Sequence, residues 1–413
     1  MKLIEKKKQN VGNPMKGNLE DSVFSATKLL LHERFKRVYE GRSQDNPPSI
    51  DELARIYPVT LELGPAGGCN NFCDFCNNAG HYPNTRGQMS FEMYRNLLDE
   101  VTTYLVPEKR TKGMIFSSSG EPTLNREINR ILAYTRERGV DSGLVTNGTS
   151  LRTREGLKEA IIEYVNWCRV SLNAGTNETR TLIHGGGYKG FDSYDLDKVL
   201  NSLSELAEMK RRTGSNVNLG AQIVVTKDNA HELEIASRKV KQTGINYFQI
   251  KPVVFHPLDG KPQLPREFWE DIKDISAAIK RELDDETFQI WSKENQFDGL
   301  LTDDLERSAY DVCLAMMFPI IESDGDIFYC SQTRGMLDYR LGTLREQSFS
   351  EIWESKRRLE VIKGIDLNKC QRLCRNHTNN KTLTALGETG INKEIRSELE
   401  KIKTHGGRSP NFT

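Results

Sequence analysis

The chain has 413 residues, which is enough for two domains with a substantial core. Its 58 basic and 58 acidic residues cancel to a formal net charge of zero, so no basic surface for nucleic acid or an anionic membrane is expected. No apolar run approaches the roughly 20 residues of a membrane span, and no secretory signal follows the basic start. We therefore expect a cytoplasmic protein, in which eight cysteines indicate metal binding rather than disulfides.

Residues 1–58 are expected to form a helical N-terminal extension. Apolar residues recur at helical spacing from about residue 19 to residue 40. Two prolines then interrupt the pattern, and Ser49 with Glu52 has the arrangement of a capping box that begins a short helix. This segment carries no recognisable chemistry, so we interpret it as a packing extension.

Strands and helices alternate over residues 59–256. Six strand–helix units in this region predict a parallel sheet, curved into a partial (β/α)6 barrel of the α/β class. In such sheets ligands bind at the carboxyl ends of the strands, so those ends should carry the functional residues.

Three cysteines follow the first strand of this predicted barrel. Cys69, Cys73 and Cys76 have the spacing C-x3-C-x2-C, with Phe75 immediately before the last cysteine. Three thiolates on one loop can bind three irons of a four-iron cluster and leave the fourth iron without a protein ligand. Zinc held by these cysteines and His81 is the alternative.

The cysteine loop resembles the signature of the radical S-adenosylmethionine (SAM) superfamily. The resemblance implies that the amine and carboxylate of SAM bind the iron that has no protein ligand. It also implies that one electron from the 4Fe-4S cluster cleaves SAM, and that the 5′-deoxyadenosyl radical abstracts hydrogen from a substrate. An electron donor such as flavodoxin or ferredoxin is then an expected partner.

The second strand ends in Ser119-Gly120-Glu121, which resembles the Gly-Gly-Glu element that holds the SAM amine in this superfamily. Ser119 stands in place of the first glycine. Gly120 permits a close backbone approach, and the Glu121 carboxylate can accept hydrogen bonds from an ammonium group. A solvated turn before Pro122 is the alternative.

The fourth strand carries further candidates for the cofactor site. Strand alternation places Ser171 and Asn173 on one face and Cys168 on the other, where we expect it to be buried. The resemblance implies that Ser171 and Asn173 line the SAM ribose and carboxylate, and we assign Phe75 to the same site. Asn147 after the third strand is a further candidate for contact with SAM or substrate, although an Asn-Gly turn explains it equally well.

Linker helices are expected over residues 257–312, followed by a second set of four cysteines. These are Cys313, Cys330, Cys370 and Cys374. A hairpin around an Asp-Gly turn separates the first two, and the pattern resembles the SPASM/twitch auxiliary domain, here residues 313–380. A full SPASM domain would carry further cysteines after Cys374, and the sequence has none there, so the shorter, α+β twitch form fits. Residues 381–413 form the C-terminal tail.

Four thiolates suit one auxiliary 4Fe-4S cluster bound entirely by protein. Zinc on the same four cysteines is the alternative, because tetrahedral all-sulfur sites also suit zinc.

The resemblance implies a radical SAM oxidoreductase. The sequence shows no separate peptide-recognition domain, which favours dehydrogenation or epimerisation of a small polar, sugar-like or cyclitol-like substrate. Modification of a ribosomal peptide or a protein side chain is the first alternative, and a non-catalytic zinc or iron–sulfur scaffold is the second. No residue is identified as the acid or base that acts on the substrate.

Overall fold

The computed structural model describes residues 29–76, 87–117, 120–185, 195–256, 260–302, 310, 312–371, 373–393 and 395–396. Ser119, His81 and most of the tail therefore lie outside the described residues. Within the described part, no helix is both long and apolar enough to cross a membrane.

Ten strands of the described chain form one sheet. They are β1 Thr60–Leu63, β2 Gly113–Phe116, β3 Asp141–Thr146, β4 Trp167–Ser171, β5 Asn218–Val225, β6 Tyr247–Pro252, β7 Gln289–Ser292, β8 Ile320–Ile321, β9 Asp326–Phe328 and β10 Arg340–Thr343. The spatial order is β10-β9-β8-β1-β2-β3-β4-β5-β6-β7. Strands β1 to β7 are parallel, as expected for a partial barrel.

Two features extend the six predicted strands. β7 adds a seventh parallel strand beside β6, inside the region of residues 257–312 for which the sequence predicted linker helices. At the other edge β8 pairs in parallel with β1, and β8, β9 and β10 continue as an antiparallel meander. The predicted hairpin is confirmed, with Gly325 in its turn at a φ of 88°. The C-terminal cysteine region is therefore joined to the barrel through the same sheet.

Fourteen α-helices are described. They are α1 Glu33–Tyr39, α2 Ile50–Ala54, α3 Phe91–Thr103, α4 Ile128–Glu137, α5 Ser150–Thr153, α6 Leu157–Tyr164, α7 Asn177–Gly185, α8 Leu196–Thr213, α9 Leu233–Gln242, α10 Arg266–Leu283, α11 Glu294–Leu301, α12 Phe349–Trp353, α13 Lys356–Lys363 and α14 His377–Thr389. The capping box at α2 is confirmed, because Ser49 and Glu52 exchange both hydrogen bonds. The predicted helix over residues 19–40 is described only from residue 29, and α1 begins at Glu33 after a turn.

The helices after the first strands cover the outer face of the sheet. In α3 the side chains of Tyr94, Leu97, Leu98 and Val101 recur at helical spacing and are buried. Burying one such side chain contributes about 1.5–3 kcal/mol, so this face holds the helix against the sheet. The Ser90 hydroxyl accepts a hydrogen bond from the Met93 amide and starts the helix.

Aromatic rings fill the inner face of the barrel near the amino ends of the strands. A Cβ atom on Gly143 would lie 2.1 Å from the Trp167 ring, and one on Gly220 would lie 2.1 Å from the Tyr247 ring. Trp291 stacks on Tyr247 with 3.7 Å between the ring centroids. These glycines make room for the rings, which close one end of the barrel and leave open space at the carboxyl ends.

Candidate active site

The cysteine loop runs directly from the carboxyl end of β1. The Glu121 amide donates to the Gly68 carbonyl at 2.9 Å, which ties the loop to the segment after β2. A Cβ atom on Gly120 would lie 2.1 Å from the Ala66 carbonyl oxygen. The close backbone approach expected at Gly120 is therefore made to the cysteine loop itself, and only glycine fits there.

The three thiols of this loop are close enough to interact electrostatically. Burial raises the pKa of Cys69 to about 12, with further contributions from the charges of Glu121 and Cys76. Burial also raises the pKa of Cys73, and the charges of Cys76 and Cys69 add to the effect. Three thiolates in this space need a cationic group among them, which fits binding of iron.

Glu121 is 3% exposed and accepts four hydrogen bonds. Its Oε1 accepts from the Thr146 hydroxyl at 2.6 Å and from the amide and hydroxyl of Thr123. Its Oε2 accepts from the Asn147 amide at 2.7 Å. The pKa of Glu121 is raised overall, because burial outweighs the opposing effect of these hydrogen bonds. Oε2 has one described donor, so this oxygen retains capacity for a second.

Ser171 and Asn173 reach the same region from the end of β4. The Gln222 side chain donates to the Ser171 hydroxyl at 2.9 Å, and the side-chain Oδ1 of Asn173 accepts from the Val224 amide. Asn173 has a φ of 58°, a backbone conformation that asparagine tolerates better than most residues. Cys168 is 1% exposed, as expected from strand alternation.

We name the space between these groups the central cavity. Its volume is about 390 Å³. The wall contains the first three cysteines and six of the seven predicted cofactor residues, namely Phe75, Gly120, Glu121, Asn147, Ser171 and Asn173. The opposite wall comes from the C-terminal region and includes Gln332, Arg334, Gln371, Leu373, Cys374 and Arg375. Ser119, the seventh predicted cofactor residue, lies outside the described residues and remains a prediction.

The second cysteine set also gathers in one place. A cavity of about 20 Å³ is lined by Cys313, Cys330, Cys370 and Cys374. The pKa of Cys330 is raised to about 11, chiefly by burial and to a smaller degree by the charges of Cys374 and Cys370. Cys374 lines the central cavity too, so one cysteine of the second set borders the same space as the first set.

Among the described residues, no three His, Cys, Asp or Glu side chains converge closely enough to surround a single metal ion. In a four-iron cluster each cysteine binds a different iron, so its thiols do not need to converge in this way. The donor set at both places is thiolate only, which fits iron–sulfur clusters.

The sequence did not reveal the role of His184 beside the cysteine loop. His184 lies near the end of α7 and is 1% exposed. The Nδ1 atom of His184 lies 2.6 Å from the side-chain Nδ2 of Asn71 and 3.3 Å from the Cys73 sulfur. Its Nε2 atom lies 3.1 Å from the Leu172 carbonyl oxygen. Burial and the charge of Arg180 lower its pKa well below the usual value, so we assign a neutral ring.

Two family models match this chain. Residues 63–237 match the radical SAM superfamily, and residues 313–376 match SPASM, an iron–sulfur cluster-binding domain. The chain is a radical SAM enzyme with a SPASM domain. Its cofactors are accordingly SAM, the 4Fe-4S cluster that activates SAM and an auxiliary cluster.

Two curated relatives match about 70% of this radical SAM enzyme. The chain is 22% identical to a tungsten-containing aldehyde ferredoxin oxidoreductase cofactor-modifying protein of Pyrococcus furiosus, over 72% of this chain and 81% of the relative. It is 25% identical to Fe-coproporphyrin III synthase of Methanosarcina barkeri, over 69% of this chain and 71% of the relative.

Solved structures show the same fold. Streptococcus suis SuiB bound to its precursor peptide SuiA matches with a TM-score of 0.58 and 15% identity, over 86% of this chain and 76% of SuiB. Native anSMEcpe with bound AdoMet matches with a TM-score of 0.52 and 19% identity, over 84% of this chain and 100% of anSMEcpe.

Proposed function

We propose that this radical SAM enzyme abstracts hydrogen from a peptide or protein side chain held in the central cavity. The observation that carries the proposal is that this cavity is lined by the three cysteines of the first set and by Cys374 of the second. A substrate held there lies beside the site of SAM cleavage on one side and beside an electron-transfer group on the other.

The residues at each wall have distinct roles in this proposal. Cys69, Cys73 and Cys76 hold the cluster that activates SAM, which when bound supplies a 5′-deoxyadenosyl radical. The second cysteine set holds the auxiliary cluster. Glu121 is buried, and hydrogen bonds from its neighbours fix the orientation of its carboxylate. Its Oε2 atom, which has one described donor, accepts a hydrogen bond from the SAM amine and orients it.

Asn147, Ser171 and Asn173 complete the polar wall of the SAM site. The Asn147 side chain donates to the side-chain Oδ1 of Asn70 at 2.7 Å, and the Asn173 side chain accepts from the Val224 amide. Because these side chains are held by their neighbours, they can bind SAM without losing further conformational freedom. Phe75, beside the last cysteine, excludes water from the reacting atoms.

The peptide substrate is supported by the comparison with SuiB, whose structure with a precursor peptide matches most of this chain. A second cavity also adjoins the first. It is lined on one side by Thr60, Glu62 and Ile115 and on the other by Phe318 and Pro319, and we name it the seam cavity. Cys374, Arg375 and Gln296 line both cavities, so together they form an extended space for a chain segment.

A small organic acid or cofactor precursor is the second candidate substrate. It is supported by the curated relatives, which by name act in cofactor modification and Fe-coproporphyrin III synthesis, and by the cationic side chains of the central cavity. The sugar-like or cyclitol-like substrate favoured by the sequence stays a prediction, and the comparisons support peptide modification better.

The test uses the full chain, reconstituted anaerobically with iron and sulfide and supplied with SAM and dithionite. Synthetic peptides that together present all side chains form one arm, and organic acids, sugars and cyclitols form the other. Peptides should raise 5′-deoxyadenosine formation above the rate without substrate, and deuterated peptides should transfer deuterium to it. Deuterium transfer from a small molecule with no response to any peptide would overturn the proposal. The Cys73→Ala variant should form no product in either arm.

A further inference from the structure

Arg180 on α7 is a buried cation that makes no ion pair with any described residue. The residue is 0% exposed, and its shortest hydrogen bonds go to backbone carbonyl oxygens. Its Nη1 donates to the Leu172 carbonyl at 2.7 Å, and its Nη2 donates to the Asn147 carbonyl at 3.0 Å. Burying a charge is costly unless an opposite charge or a metal site accompanies it. The guanidinium therefore indicates that an anionic group belongs nearby.

A short chain of contacts runs from this guanidinium to the cysteine loop. The Arg180 Nη1 and the His184 Nε2 both lie within hydrogen-bond distance of the Leu172 carbonyl oxygen, and the two nitrogens are 3.5 Å apart. On the other side of the ring, the His184 Nδ1 lies 3.3 Å from the Cys73 sulfur. One imidazole ring thus separates the buried charge from a thiol that holds the SAM-activating cluster.

His184 also holds the backbone of the cysteine loop. Its carbonyl oxygen accepts from the Phe72 amide at 2.7 Å, and its ring lies 2.6 Å from the side-chain Nδ2 of Asn71. The Asn71 amide in turn donates to the Cys69 sulfur at 3.4 Å. The end of α7 therefore fixes the loop between Cys69 and Cys73, which sets the separation between the guanidinium and the Cys73 sulfur.

The charge of Arg180 already acts on Cys73 in this structure. Burial raises the pKa of the Cys73 thiol, and the guanidinium opposes this rise because it favours the thiolate. The charge of Asp195 acts on Arg180 as well, but Asp195 caps α8 and forms an ion pair with Lys198 at 3.2 Å. Asp195 therefore has a cation of its own, which leaves the guanidinium available to Cys73.

We propose that Arg180 is a positioning residue that acts through His184 and Cys73 to raise the reduction potential of the SAM-activating cluster. A four-iron cluster held by three thiolates is anionic, and one-electron reduction makes it more so. A fixed cation beside one thiolate stabilises the reduced form more than the oxidised form, because Coulomb attraction grows with charge. The inference concerns electron uptake from the external donor, so it goes beyond the proposed function and holds for either substrate class.

The experiment is a redox titration of the full, anaerobically reconstituted chain, followed by electron paramagnetic resonance and carried out without substrate. The signal that changes when SAM is added belongs to the SAM-activating cluster. The auxiliary cluster, whose signal should not respond to SAM, serves as an internal reference in the same sample.

Two substitutions of Arg180 separate its charge from its hydrogen bonds. Arg180→Gln keeps donors for the carbonyl oxygens but removes the charge. At a fixed solution potential, its ratio of reduced to oxidised cluster should fall at least tenfold, a shift of about 59 mV for a one-electron couple. Arg180→Lys keeps the charge, so its potential should lie between those of Arg180→Gln and the wild type. The potential of the auxiliary cluster should stay unchanged in both variants.

Arg358 provides a matched control, because it is another buried guanidinium held by backbone carbonyl oxygens. It is 2% exposed and donates to the carbonyls of Ala54, Trp353 and Met316, away from the cysteine loop. Arg358→Gln should lose stability, as Arg180→Gln does, without a change in the potential of the SAM-activating cluster. A purely structural role for Arg180 predicts no difference between these two variants.

Iron and sulfide content establish which variants carry both clusters. If Arg180→Gln does not load the first cluster, His184→Gln decides the question, because it keeps the guanidinium but releases Cys73 from its fixed position. Its potential should fall, and by less than tenfold in the reduced-to-oxidised ratio. An unchanged potential in loaded Arg180→Gln, or in His184→Gln where Arg180→Gln does not load, would overturn the proposal. An equal fall in Arg358→Gln would also overturn it.

Discussion

The guanidinium of Arg375, next to the last auxiliary cysteine, pairs with the carboxylate of Glu62 on the first barrel strand. The Glu62 side chain is 8% exposed, while that of Arg375 is 44% exposed. This ion pair joins the C-terminal region to the barrel beside the seam cavity, which both residues line.

The Glu62→Gln substitution should destabilise the protein by about 1–3 kcal/mol, because it leaves Arg375 without its charged partner among other cations. Chemical denaturation of the reconstituted protein under anaerobic conditions measures the change. The matched control is Arg266→Gln, which removes an exposed pair with Glu270 at 3.0 Å and should cost less than about 1 kcal/mol. Equal stability of Glu62→Gln and wild type would show that the pair contributes nothing.

The Cys73→Ala substitution should remove one cluster and spare the other. Reconstituted wild type should contain about eight irons per chain, and the variant about four, because the second cysteine set is intact. SAM cleavage should be lost. Iron and sulfide analysis together with 5′-deoxyadenosine formation measure both effects.

Cys168 provides the control for this experiment. It is a buried cysteine of the core, 1% exposed, and lies on the outer face of β4. Cys168→Ala should retain about eight irons and SAM cleavage. Loss of a cluster from Cys168→Ala, or full iron content in Cys73→Ala, would contradict the assignment.

The Glu121→Gln substitution should weaken SAM binding at least tenfold. A neutral amide loses the charge-assisted hydrogen bond to the SAM amine, which is worth about 1.5–3 kcal/mol. Equilibrium dialysis with labelled SAM gives the dissociation constant.

Glu232 offers a matched control, because it is another buried carboxylate held by four donors. It accepts from the amides of Gly175 and Thr176 and from the hydroxyls of Thr176 and Thr179, away from the central cavity. Glu232→Gln should lose stability without a change in SAM affinity. If both variants bind SAM as the wild type does, Glu121 has no role in SAM binding.

The Lys251→Met substitution should change how stability depends on pH. The pKa of Lys251 is about 7 in the folded protein, below the usual value near 10.4 for an unfolded chain. Between these values the unfolded chain binds a proton that the folded one lacks, so wild-type stability should rise with pH over this window. The variant lacks this contribution. Its stability relative to wild type should therefore be greatest near pH 7 and decline toward pH 10.

Denaturation curves at pH 7, 8.5 and 10 measure this difference, with Lys273→Met as the surface control. A constant difference between Lys251→Met and wild type across the three pH values would mean that Lys251 titrates normally.

Local patterns predicted much of the fold and of the site. The alternation of β4 placed Ser171 on the cavity side and Cys168 in the core, because residue direction in a strand depends only on position. The carboxyl ends of parallel strands then brought Glu121, Asn147 and Asn173 together.

Contacts between distant segments could not be predicted in this way. His184 reaches Cys73 because α7 folds back over the cysteine loop, and no local spacing records that path. The pairing of β7 with β6 was missed for a similar reason, since a four-residue strand carries little pattern of its own. The charges of Arg169, Lys293 and Arg375 act on Lys251, although these residues are far apart in sequence.

The most direct test of the central claim is SAM cleavage by the full chain, reconstituted anaerobically with iron and sulfide and reduced with dithionite. We predict 5′-deoxyadenosine and methionine in equal amounts, both absent from the Cys73→Ala variant. Intact SAM in the presence of wild-type protein with its full iron content would contradict the account.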